Sequence, residues 1–215
     1  MNLYGIFPTP VAKFELGRDF TSAETDFLFK LDTEKNVGNT VSSNRYVLRN
    51  DTLSNLREFV QSSVDEYLNT VYAPKTTSSI AIKNSAVSSG LDGVKLRITQ
   101  SWVNYSKPGQ WHHNHCHPNS FVSGVLYLKA AKERDRIYFH KNNYEQLKVE
   151  TNTWNLYNSE SWWFEAATGE LIIFPSYLSH KVDVVQESER ISLSFNTFPV
   201  GYLGQEDSLT ALHLE

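Results

Sequence analysis

Apolar positions follow two regimes along the 215 residues. In the first, Leu53, Leu56, Val60, Val64, Leu68 and Val71 recur at steps of three and four. That spacing puts them on one face of a helix, predicted over 52–72, with Asn50 or Asp51 placed to cap its first turn. Upstream, Thr21-Ser22-Ala23-Glu24 is a T-x-x-E capping box, which predicts a short helix to about residue 31. After Val94 the period shortens. The segments 94–105, 121–129, 136–140, 170–174, 181–185 and 190–198 are short, rich in Val, Ile, Leu, Phe and Tyr, and bounded by Gly, Pro, Asn or Ser. They read as strands. Residues 73–93, rich in Ser, Thr, Ala and Gly, read as a loop with one short strand over 79–82. Many short strands suggest a sandwich or barrel, and helices gathered ahead of them are expected to pack on one side of it.

Composition narrows this little. Apolar content of 40% with 20% charged residues fits a globular chain, and without repeats or a low-complexity linker one domain over 1–215 is expected. The net charge is −4 and no Lys/Arg run appears, so nucleic acid is not an expected partner. Cys116 is the single cysteine and cannot form an intrachain disulfide, which suggests a reducing compartment. The first residues lack a charged-then-apolar leader pattern, and no apolar run approaches the roughly 18 residues of a membrane span. A cytoplasmic location is the expectation. Aromatic content reaches 13%, with Trp154, Trp162 and Trp163 close together, read either as core and edge packing or as one wall of a substrate groove.

The chemistry concentrates in histidines. Four lie in Trp111-His112-His113-Asn114-His115-Cys116-His117-Pro118 and a fifth, His180, follows the turn Phe174-Pro175-Ser176. In an extended chain, residues i and i+2 face the same way about 6.6 Å apart, from roughly 3.3 Å per residue. Two such imidazoles can converge on one metal, whereas i and i+4 cannot easily do so. At most two of His113, His115 and His117 should therefore bind, and His115 belongs to either pair. Pro118 favours an extended backbone at His117 and so the pair His115/His117. His112 is expected to point away, His140 and His213 to be solvated, and Cys116 to be a packed small residue. Imidazole suits Fe, Zn, Cu and Ni, so the cluster alone does not choose a metal. Ten residues beyond His180, Arg190 opens the next strand, where its guanidinium could meet a carboxylate near the metal in a bidentate way.

The ordered series H-x-H-P, S-G-V-x-Y-L, G-E-L-x-x-F-P-S-x-x-x-H-x-V and E-R-x-S-x-S-F-N over about residues 95–198 resembles the 2-oxoglutarate/Fe(II) oxygenases of phages and marine bacteria. More distantly it is similar to the prolyl-hydroxylase-like branch of that superfamily. Phe7-Pro8-Thr9-Pro10 is a further match. The resemblance implies a mainly β fold with α: a double-stranded β-helix (jelly roll, cupin-like) over about 94–200, with an N-terminal helical part over 1–75 packed on one sheet. It implies Fe(II) as the metal and 2-oxoglutarate as cosubstrate. His115 matches the first iron ligand and His180 the last. Arg190 matches the residue that binds the distal carboxylate of 2-oxoglutarate, and Tyr127 a tyrosine that hydrogen-bonds it. Asn104 or Tyr105 could touch the oxoacid, but opposite strand faces argue against both.

His117 is the departure, because the usual triad carries a carboxylate there. Three readings stand. His117 ligates and makes an all-nitrogen site; it lies outside the coordination sphere; or His113 replaces it. Charge permits the first, since three neutral histidines leave Fe(II) at +2 for the 2-oxoglutarate dianion to neutralise. Ligation by His115, His117 and His180 is the expectation. The expected function is a dioxygenase that hydroxylates an unidentified small molecule or protein side chain, with no catalytic residue beyond the metal site. The aromatic-rich stretch between Arg136 and Glu165 is where substrate contacts are expected. The rival expectations are a non-catalytic metal- or ligand-binding jelly-roll module, motivated by the missing carboxylate, and a cupin-like metalloenzyme that needs no oxoacid.

Overall fold

A computed structural model of the chain describes residues 1–72, 93–141 and 149–215. The strand expected over 79–82 lies outside the described residues. The capping box forms: Glu24 N–H donates to Thr21 Oγ1 at 3.2 Å and Thr21 N–H to the Glu24 carboxylate at 2.8 Å, opening helix α1 (Ser22–Phe29). Asn50 caps a 3-10 turn, Asp51–Leu53, that runs into helix α2 (Ser54–Tyr72). Leu56, Val60, Val64, Tyr67 and Leu68 form its buried stripe, while Val71, past the end of the sheet contact, is exposed.

The strands among the described residues form two sheets. The larger runs β1 (Ala12–Glu15), β9 (Glu170–Pro175), β6 (Val122–Lys129), β11 (Arg190–Leu203), β4 (Lys95–Ser106), β3 (Thr40–Ser42) and β2 (Thr33–Lys35), with β12 (Leu212–Leu214) also on β11. The smaller runs β5 (His112–His115), β10 (Ser179–Val182), β7 (Arg136–His140) and β8 (Ser161–Glu165). All pairs within these sheets are antiparallel. The architecture is the expected jelly roll with helices on one sheet.

The large sheet is covered on both faces, which explains why β6 up to Leu128 and the whole of β9 are buried at every position rather than at alternate ones. One face packs on the helices: Val103, Leu126, Leu171, Ile173, Leu193 and Phe195 join Leu56, Val60 and Val64 in a single core. The other face meets the small sheet, where Val125, Tyr127, Ile172 and Phe174 pack on Ile137 and Phe139. Gly124 is required at the crossing of β6 and β11, because a Cβ there would lie 2.4 Å from the Phe195 ring. No helix among the described residues is long and apolar enough to cross a membrane.

Candidate metal centre

Two strands of the small sheet deliver the first two histidines. β5 and β10 pair with His115 directly opposite His180, so their side chains are nearest neighbours on one face. Their rings lie 4.4 Å apart between centroids. β5 ends at His115, and the following loop is tied back by a 2.9 Å hydrogen bond from His117 N–H to the Ser176 carbonyl. That places the His117 ring beside the other two, with its Nε2 3.1 Å from His115 Nε2. One ligand nitrogen from each of the three lies within 4.8 Å of the others.

The protonation pattern suits a metal. Each ring is bonded through Nδ1: His115 to the His113 carbonyl at 2.8 Å, His180 to the Leu178 carbonyl at 3.0 Å, and His117 to Asn196 Oδ1 at 2.7 Å. A carbonyl or amide oxygen only accepts, so the proton sits on Nδ1 and each Nε2 presents its lone pair. Adjacent ligands at right angles, with metal–nitrogen bonds near 2.1 Å, stand about 3 Å apart, which matches the His115–His117 pair. Burial holds all three imidazoles in the neutral form: it is the largest cause in each case, lowering His115, taking His117 to about 4 and His180 well below its ordinary value.

The cavity that the histidines open into is lined across the large sheet by Trp102, Asn104, Tyr127, Arg190, Ser192 and Ser194. Register explains the grouping. Ser192 pairs with Asn104 on one side and Tyr127 on the other, and Arg190 pairs with Ser106. Tyr127 Oη and Asn104 Oδ1 are buried with no hydrogen-bond partner, an expensive arrangement unless something polar fills the cavity. Arg190 is 4% exposed, and Asp135 approaches it at 3.5 Å and Ser106 Oγ at 3.4 Å, both long for strong bonds. Its charge is only partly answered by protein groups, and burial lowers its pKa. A dianionic oxoacid reaching from the histidines to Arg190 fits the Arg190 guanidinium and the unpartnered Tyr127 hydroxyl, both of which donate. Tyr105, on the opposite face of β4, donates instead to the Leu28 carbonyl in the helix core.

The structure thus brings together His115, His117, His180, Arg190, Tyr127 and Asn104. Three local expectations need correction. His112 does not point away: it lines the cavity and stacks on His115 at 4.7 Å and 24°. The cause is a β-bulge, since His115 and His112 are three residues apart while their partners His180 and Val182 are two apart. The extra residue shifts the alternation and turns His112 to the His115 side. His113 groups with His112 and His115 rather than with His117 and His180. His115 has no nitrogen left for that grouping, with Nδ1 on the His113 carbonyl and Nε2 in the triad. Cys116 is exposed rather than packed. His213 is exposed as expected, but His140 is partly buried, its Nε2 without a partner. Trp154, Trp162 and Trp163 are all exposed, Trp163 beneath the Arg136 guanidinium at 3.9 Å.

Asn196, Ser123, Ser176 and Asp135 were missed as site residues. The signal for Asn196 was present, because it continues the inward positions Arg190, Ser192 and Ser194 at period two.

Residues 100–196 match the model of the family described as "Putative 2OG-Fe(II) oxygenase". Jelly roll, histidine cluster and this match together define a 2-oxoglutarate-dependent non-haem iron oxygenase, with Fe(II) and 2-oxoglutarate as its cofactors. No curated protein matches the sequence. Among solved structures, the fold is similar to a 2OG-Fe(II) oxygenase family oxidoreductase from Burkholderia pseudomallei, with TM-score 0.56, 14% identity, and coverage of 87% of this chain and 83% of that one. HygX from Streptomyces hygroscopicus, solved with nickel, 2-oxoglutarate and hygromycin B, gives TM-score 0.56 at 12% identity, covering 88% and 82%. The epimerase SnoN from nogalamycin biosynthesis gives 0.57 at 10%, covering 90% and 81%.

Proposed function

We propose that Nε2 of His115, His117 and His180 hold the iron as an all-nitrogen triad, and that Arg190, Tyr127 and Asn104 hold 2-oxoglutarate. The observation that carries the reading is the convergence of three imidazoles, each with Nδ1 already engaged. When bound, iron and 2-oxoglutarate would supply oxidative decarboxylation of the oxoacid to succinate and CO2 with molecular oxygen as the oxidant, one oxygen atom entering succinate and the other a substrate C–H bond. Hydroxylation is the proposed outcome, on a small molecule or a protein side chain.

The chain's own groups bind and orient. Arg190 meets the distal carboxylate with a charge-assisted pair, and the Tyr127 hydroxyl, held in its neutral form by burial, donates to the same carboxylate. Asn104 Nδ2 donates to Ser194 Oγ at 3.1 Å and its Oδ1 has no partner. Because an amide oxygen only accepts, Asn104 serves the oxoacid with its amide turned over, Nδ2 to the carboxylate and Oδ1 to the Ser194 hydroxyl. Phe174 and Phe139 wall the His180 side and keep it dry. All 215 residues serve one such domain in this reading, with 1–75 supporting the jelly roll of 94–200, in a cytoplasmic protein of the prolyl-hydroxylase-like branch.

Anaerobic titration tests the binding half. Fe(II) with 2-oxoglutarate should give a visible charge-transfer band in wild type that Arg190→Ala loses at the same oxoacid concentration. Metal binding with no oxoacid-dependent band in wild type would refute it.

A further inference from the structure

The departure at His117 is where the structure says most beyond the triad itself. His117 stands in a loop, where no strand pairing fixes its ring as the His115/His180 register fixes theirs. Its orientation comes instead from polar contacts. Nδ1 lies 2.7 Å from Asn196 Oδ1 and 2.8 Å from Ser123 Oγ, while Ser123 Oγ lies 2.8 Å from that same Asn196 oxygen. Ser123 Oγ continues to Ser176 Oγ at 2.7 Å, and Ser176 to Ser120 Oγ at 2.7 Å. Ser120 Oγ in turn receives the Thr197 N–H at 3.2 Å. Ser123 and Ser176 are fully buried, so these hydroxyls have no water to fall back on. The chain joins β6, the turn after β9 and β11, the strand that carries Arg190, and it ends on the one triad histidine with no strand partner.

We propose that Asn196, backed by Ser123 and Ser176, is the positioning residue of the metal site: it selects the Nδ1–H form of His117 and so makes a histidine serve where a carboxylate would otherwise stand. This rests on the reading that His117 ligates. A carboxylate at 117 would carry no N–H for the Asn196 oxygen to accept. The network is matched to imidazole, and its loss leaves the His117 ring free to turn or change tautomer. Acting through one ligand, it should affect metal binding only while His117 is present.

The test is Co(II) titration of the 215-residue apo chain, followed by affinity and by the visible d–d spectrum. Asn196→Leu and Asn196→Asp are compared in the wild-type and His117→Ala backgrounds. Asn196→Leu should weaken Co(II) by about 10–100-fold, the usual cost of losing the partner behind a ligand, and move the spectrum toward that of His117→Ala. Asn196→Asp, still an acceptor, should stay within a few-fold of wild type. In the His117→Ala background neither change should matter. An equal loss in both backgrounds overturns the proposal, since Asn196 would then act on the fold and not through His117. If His117→Ala alone leaves affinity and spectrum unchanged, ligation by His117 fails, and the proposal with it. If Asn196→Leu does not fold, Asn196→Ala and Ser123→Ala carry the same comparison.

Discussion

β11 has two faces that do different work over the same seven residues. Ile191, Leu193 and Phe195 are buried in the core under the helices, while Arg190, Ser192, Ser194 and Asn196 alternate with them on the face of the metal cavity. The first face is filled by shape and apolar area; the second carries the buried Arg190 and Ser192 and faces Tyr127 Oη and Asn104 Oδ1 on the neighbouring strands, which are buried without hydrogen-bond partners. The contrast teaches that one strand can carry a packing face and a polar cavity face side by side, so that stability and ligand binding are open to separate tests.

The sharpest way to break that separation is at the metal. His180→Ala removes one of the three proposed ligands and should cut Fe(II) or Co(II) affinity by more than the about 100-fold that loss of a supporting hydrogen bond costs. The apo protein should keep its fold, checked by circular dichroism and isothermal titration. Next, Arg190→Ala should weaken 2-oxoglutarate by about 2–5 kcal/mol, tens-fold or more in Kd, as when a buried charged partner is truncated. Metal affinity without the oxoacid should hold.

On the opposite face, Leu193→Ala should cost about 2–5 kcal/mol of stability in denaturant melts, yet leave metal and oxoacid affinities of the folded protein near wild type. If Leu193→Ala changed affinity as much as Arg190→Ala, the two faces would not be separable. pH offers a gentler probe. Between about 4 and its ordinary 6.5, His117 takes a proton in the unfolded chain but not in the folded one. Apo stability should therefore fall as pH is lowered through that window and be fully present above 6.5. Melts of the apo protein at stepped pH check this. Smallest, Ser194→Ala removes the acceptor of Asn104 Nδ2. It should cost about 1 kcal/mol or less in oxoacid binding.

How far the sequence spoke also differs between the faces. Spacing at three and four located α2, the capping box located α1, and apolar runs bounded by turn residues located β4, β6, β7, β9 and β11. That His115, His117, His180 and Arg190 gather at one cavity was legible through the spaced motifs. Short strands such as β1, β2 and β3, three or four residues each, were not, since so few positions carry no period. His112 was misplaced for a different reason: strict alternation holds only without a bulge, and the bulge between His115 and His112 is set by pairing with β10. Cys116 was read as packed because it faces away from the candidate ligands, but among the described residues none buries it and it is exposed. Asn196 was within reach of the alternation on β11, whereas its contact with His117 depends on a loop returning from 79 residues away in sequence.

The central claim is that this cavity joins a three-histidine iron site to an oxoacid site. It is tested most directly by succinate release when air is admitted to the anaerobic Fe(II)–2-oxoglutarate complex. Wild type should form succinate in proportion to enzyme in a single turnover, and His180→Ala and Arg190→Ala should form none above background. Iron-loaded wild type that consumes no 2-oxoglutarate, or variants that release succinate as wild type does, would contradict it.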